Sequence, residues 1–154
     1  MNEVIKKAAE IIKYPVIGAV SGLLLNILIL YSPLTDIFPA YKESFAGRIY
    51  SVDIMSGVLI YCIAAPILEE LIFRVFLYNL IYRATGFTAA ALASSAIFGI
   101  YHMNMIQGIY AFIMGMLFCF FYSRDHRIWV PVLMHTGANL AVWLLSGIFL
   151  CLLD

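Results

Sequence analysis

Charge is what this sequence has least of. Only 12% of its 154 residues are Asp, Glu, Lys or Arg, and nine basic side chains match nine acidic ones. A chain without net charge has no electrostatic footprint for nucleic acid, so none is expected as a partner. Cysteine is scarce too. Cys62, Cys119 and Cys151 are scattered through apolar runs, with no C-x-x-C spacing and no histidine close in sequence. That argues against a disulfide or zinc framework and for small apolar fillers. There is no H-E-x-x-H, so the zinc metalloprotease arrangement is missing. There is no G-x-S-x-G, and Ser21, Ser56 and Ser146 have no acid–base setting around them. Asp36, Asp53, Asp125 and Asp154 fall in connections or near the ends of apolar runs, which leaves a membrane aspartyl dyad without support. Internal repeats and low-complexity segments are absent. Lys6, Lys7 and Lys13 precede the first apolar run, but no small-residue cleavage site comes after it, so this reads as an uncleaved span rather than a signal peptide.

What the chain does have is apolar length. Hydrophobic residues make up 64% of it, against about 45–50% in a soluble domain, and its mean hydropathy is +0.99. The expected fold is all-α, a multi-pass bundle of about five transmembrane helices with the lipid bilayer as its solvent. Span one covers about 14–31 and holds Gly18, Ser21 and Gly22, small enough for close helix packing, with Asn26 as a polar packing contact. A polar connection with interfacial aromatics extends to residue 50. The run from Val52 to Ile81 exceeds a perpendicular crossing, because thirty helical residues reach about 45 Å against a core of about 30 Å. It must tilt, protrude or kink at Pro66. Further spans are expected from Phe87 to about Met103, from the 104–108 turn to Tyr122, and from about Ile128 to Leu153. Residues 1–50 form an N-terminal span with its connecting loop, and 51–154 form the core.

The core is organised around Glu69-Glu70-x-x-x-Arg74. Each ionised group at the bilayer midplane costs roughly 2.5–3.5 kcal/mol on insertion scales, so three of them must pair, line a wet cavity or do chemistry. Glu70 and Arg74 are four apart and share a helix face. Glu69 is turned about 100° away. One carboxylate is therefore neutralised locally and the other is not. A carboxylate with no local cation in a low-dielectric site is suited to general-base work near neutral pH. The bland reading of the same residues is a structural ion pair beside a water pocket.

Two more spans carry chemistry-bearing residues. His135 and Asn139 lie one turn apart on one face, and both can donate hydrogen bonds, as a developing oxyanion needs. Phe98 and His102 share a face, so the ring can fix the imidazole and keep water out. His126, among charged neighbours, reads as a solvated surface residue.

Taken in order, Glu69-Glu70-x-x-x-Arg74, Phe98-x-x-x-His102 and His135-x-x-x-Asn139 resemble the CPBP group of intramembrane proteases, the CAAX-prenyl-protease and bacteriocin-processing relatives also called the Abi family. The resemblance covers about 52–150. It implies a catalytic core at 51–154 that hydrolyses a peptide bond, in a peptide or membrane-protein substrate, with a glutamate-activated water and no acyl-enzyme. It assigns Glu69 as the base, with His102 holding and polarising the water. His135 and Asn139 stabilise the oxyanion, while Glu70, Arg74 and Phe98 support the site. No cofactor is expected. By ligand type, Glu69, His102 and His135 could instead hold zinc, and the metal-free mechanism ranks first. Two alternatives remain open: a non-catalytic peptide-binding or bacteriocin-immunity protein, and a small proton or ion carrier.

Basic residues set the expected orientation in the cell membrane. Lys6, Lys7, Lys13, Arg83, Arg124 and Arg127 fall on one side, and Lys42 and Arg48 on the other, which favours a cytoplasmic N-terminus and an external C-terminus. Single cysteines at positions 42 and 124 should label from opposite faces of the membrane; labelling of both from one face would overturn this topology.

Overall fold

The computed structural model describes residues 3–38 and 53–151, and side chains within 9–38 and 53–145 except that of residue 10. Lys42, Arg48, the interfacial aromatics Tyr41 and Phe45, and the boundary at residue 50 lie outside the described residues. Among the described residues every regular element is helical. Helix α1 is Glu3–Leu30 and α2 is the short Leu34–Ile37. Helix α3 covers residues 54–85, α4 is Phe87–Tyr101, α5 is Met105–Asp125 and α6 is Trp129–Cys151. The five expected spans correspond to α1, α3, α4, α5 and α6.

Polarity runs inside out. Glu70, Arg74, Ser94, Ser95 and His135 are buried, while Ile11, Val16, Val20, Leu24, Leu28, Leu68, Ile72 and Phe76 are exposed. In water so wide an apolar surface would aggregate, and in lipid it costs nothing. Ile11–Leu30 and Met105–Asp125 are each long and apolar enough to cross a bilayer. The protein is an all-α membrane bundle.

Helix α3 is not uniform. Two stretches, Val58–Ala64 and Leu71–Tyr78, are wound as π-helix, with hydrogen bonds spanning five residues instead of four. Between them Ala65–Glu70 is α-helical and carries Pro66 in its first turn. The disruption expected at Pro66 thus takes the form of a wide turn ending just before it. Asp53 starts α3 by accepting a hydrogen bond from the Ser56 N–H at 3.0 Å.

Helices α4 and α5 form a hairpin. Gly99 and Gly108 let the two backbones meet, since a Cβ on either would press on the other's carbonyl. The connection is tight: Met103 has φ 53°, and Asn104 caps α5 by accepting from the Gln107 N–H at 3.0 Å. At fifteen residues, α4 is about 22 Å long. His126, at φ 50°, closes α5 in the left-handed conformation and is exposed, as expected for a solvated residue.

The first and last helices lock together. Gly18 faces the Met134 carbonyl and Gly137 faces the Pro15 carbonyl so closely that neither position has room for a Cβ. Gly22 sits against Ala138. Tyr14, Met114, Phe118, Val130, Met134 and Ala138 form the core cluster at this seam, and Tyr14 donates to the Asp125 carboxylate at 2.7 Å. The N-terminal helix therefore packs into the same bundle as the core helices. Overpacking a close contact costs about 1–3 kcal/mol, so Gly18→Ala and Gly137→Ala should each lower the melting temperature in detergent. The same measurement on Val20→Leu, on the exposed face of α1, should show no change.

Candidate active site

Four helices and one turn supply the side chains of the site. Glu69, Glu70 and Arg74 come from α3, Phe98 from α4, His102 from the α4–α5 turn, Phe118 from α5, and His135 and Asn139 from α6. The innermost part is the pair foreseen from spacing. Arg74 Nε lies 2.9 Å from Glu70 Oε2, and both side chains are 0% exposed. No N–H of Arg74 is aligned for a hydrogen bond, so the contact is an ion pair held by charge. The faces of the guanidinium are covered instead: it stands 4.7 Å from the Phe98 ring and 5.4 Å from the Phe118 ring. Cation–π attraction between desolvated groups stabilises a charge that lacks further acceptors.

Glu70 faces two ways. Its other oxygen, Oε1, lies 2.9 Å from His135 Nδ1. A carboxylate only accepts, so Nδ1 carries the proton, and Nε2 is turned toward the second glutamate. His135 Nε2 is 3.6 Å from Glu69 Oε2, longer than a hydrogen bond and close enough for a shared water or a small shift. Phe98 meets the imidazole edge-on at 5.8 Å and Phe118 tilts over it at 5.1 Å. Arg74, Glu70, His135 and Glu69 thus form one connected row, buried at the arginine end and reaching the cavity at Glu69, which is 16% exposed.

The cavity has a volume of about 610 Å³. Glu69, His102, His135 and Asn139 all line it, so residues up to seventy positions apart meet as expected. Glu70 and Arg74 do not reach it and sit behind His135. His102 Nδ1 lies 2.8 Å from the Phe98 carbonyl, which can only accept, so Nδ1 is protonated and Nε2 is an acceptor. Phe98 meets His102 edge-on at 4.9 Å, the ring support expected from their spacing. Asn139 has a partner the sequence did not suggest: its Nδ2 donates to the Tyr61 carbonyl at 2.9 Å. Among the described residues no three His, Cys, Asp or Glu side chains are grouped closely enough to hold a metal ion. Glu69, His102 and His135 share the cavity without forming such a group, so no step is routed through zinc.

Sequence reasoning passed over several lining residues. Asn26, expected to be a packing contact, and Cys62, expected to be a filler, both line the cavity, with Tyr61, Tyr110 and Trp143. Phe118, which covers both Arg74 and His135, is one of eleven phenylalanines and has no motif to mark it.

Residues 51–141 match a protein-family model described as Type II CAAX prenyl endopeptidase Rce1-like. The chain belongs to that family. All three motifs of this Rce1-like chain fall inside the matched stretch. A Bacillus subtilis (strain 168) protein named "Putative membrane peptidase YdiL" is 39% identical over 97 residues, which cover 63% of the Rce1-like chain and 39% of that relative's length. No solved structure matches.

The buried end of the row yields a stability prediction. Removing one partner of a buried ion pair costs about 3–5 kcal/mol, whereas replacing both with apolar shapes costs far less. Glu70→Gln should therefore give poor yield and a lower melting temperature in detergent, and adding Arg74→Met should recover part of the loss. An unchanged melting temperature in Glu70→Gln would show that the pair contributes nothing to the fold.

Proposed function

We propose that the protein is an intramembrane endopeptidase in which Glu69 activates a water to hydrolyse a peptide bond. The observation that carries this reading is the approach of Glu69 to His135 at 3.6 Å on the wall of one cavity, with His135 fixed from behind by Glu70. The buried row removes one carboxylate from the chemistry and leaves the other facing the space where a substrate would lie.

In the proposed reaction a water stands between Glu69 and the carbonyl carbon of the scissile bond. Glu69 takes one proton as the water oxygen attacks. His102 Nε2 accepts a hydrogen bond from the water's other hydrogen, which stays on the oxygen, and so orients the lone pair. The carbonyl oxygen becomes an oxyanion beside His135 Nε2 and Asn139. In the form of His135 that carries a proton on both nitrogens, Nε2–H donates to the oxyanion. The tetrahedral intermediate collapses when Glu69 returns its proton to the leaving amine. No covalent enzyme intermediate forms. The substrate is a peptide or membrane protein, and the chain lies in the cell membrane with its N-terminus cytoplasmic.

General-base catalysis contributes about 10²–10⁴-fold, so Glu69→Gln should abolish detectable cleavage of a peptide library while melting like wild type. Membrane peptides that accumulate in a Glu69→Ala strain should name the natural substrate. If Glu69→Gln retains near-normal turnover while Glu70→Gln is folded and inactive, the base is misassigned. Glu69-dependent proton flux in liposomes, with no peptide cleaved, would instead make the protein a carrier.

A further inference from the structure

Helix α3 contains a break in its own hydrogen bonding, and another helix repairs it. In the wide turn before Pro66, the Ala65 N–H is given to the Ile60 carbonyl, five residues back. The next carbonyl, that of Tyr61, would pair in the same way with the N–H of residue 66, which proline lacks. Its ordinary α-helical partner four residues on is Ala65, already committed. Tyr61 is thus left with a carbonyl that has neither helical donor, the situation that a buried or lipid-side backbone must resolve. Asn139 Nδ2 resolves it at 2.9 Å from helix α6.

This link has a second consequence. Helices α3 and α6 are joined at two levels, Glu70 to His135 and Tyr61 to Asn139. A single joint lets one helix rock about the other, and two joints fix its height and rotation. We infer that Asn139 is a positioning residue: by capping the carbonyl stranded by Pro66, it sets Glu69 on α3 against His135 Nε2 on α6. This deepens the hydrolytic reading above and rests on it for its catalytic consequence. The amide has two N–H groups, and the Tyr61 carbonyl occupies one, which leaves the other for the cavity it lines.

The inference makes Asn139 and Pro66 interdependent. In Pro66→Ala, residue 66 regains an N–H that can take the Tyr61 carbonyl, so the Asn139 amide is no longer required there. A double-mutant cycle of wild type, Asn139→Ala, Pro66→Ala and the pair tests this, read by melting in detergent, by the [15N]histidine NMR signal of His135, and by kcat and KM on a cleaved peptide. A net hydrogen bond corresponds to about a two- to tenfold change in an equilibrium, so Asn139→Ala should lower kcat by at least that much, shift the His135 signal and reduce the melting temperature. Asn139→Asp, of equal shape but without a donor, should behave alike. Adding Pro66→Ala to Asn139→Ala should return the His135 signal toward its wild-type position and recover part of both losses. Strictly additive losses would overturn the inference. Recovered melting without recovery of the His135 signal would overturn it too, since the link would then be structural only. If the wild type cleaves no peptide, the hydrolytic reading fails while the melting and NMR arms still decide whether Asn139 positions the site.

Discussion

A carboxylate and a guanidinium withdrawn wholly from solvent hold the rest of the site in place. Arg74 cannot lose its charge, and inside a membrane bundle Glu70 is its near neighbour. Once that pair exists, one oxygen of Glu70 is fixed, and the other can fix His135. Once His135 is fixed, its second nitrogen can only look toward Glu69 and the cavity. Each member orients the next, so disorder at the buried end would spread to the exposed end. The aromatic rings of Phe98 and Phe118 complete the arrangement by covering the cation where no acceptor is aligned with it.

The irregularity of α3 belongs to the same design. Hydrogen bonds spanning five residues put more of the chain into each turn and change the phase of every later side chain on the helix. The α-helical segment Ala65–Glu70, held between two such stretches, carries the acidic pair. The hairpin of α4 and α5 contributes from the other side: the approach of Gly99 to Gly108 allows a turn short enough to bring His102 to the cavity wall.

Local spacing made part of this legible in advance. The four-residue interval of Glu70 and Arg74 specifies a contact through helix geometry alone, and the small residues Gly18 and Gly22 specify a close helix approach; both are present. Helical phase also separated the carboxylate that is buried from the one that reaches the cavity. The bridge from His135 to both glutamates was not legible, because it depends on how two helices sixty-five positions apart are rotated. Pro66 signalled an interruption but not its form. Tyr61 enters through its backbone carbonyl, which no side-chain pattern can advertise. Phe118 acts through a ring face that any core phenylalanine could offer.

The seam between α1 and α6 has a bearing on how the molecule is made. The residues that meet there are far apart in sequence; Tyr14 and Asp125, at its edge, are separated by 111 positions. Ribosomes deliver α1 early, and the contact of its Gly18 with the Met134 carbonyl cannot form until α6 emerges. The same late helix brings His135 and Asn139. During synthesis the nascent chain therefore holds its acidic pair without the imidazole that completes the row. Packing of the bundle and completion of the buried row therefore arrive together, with the last helix to be made.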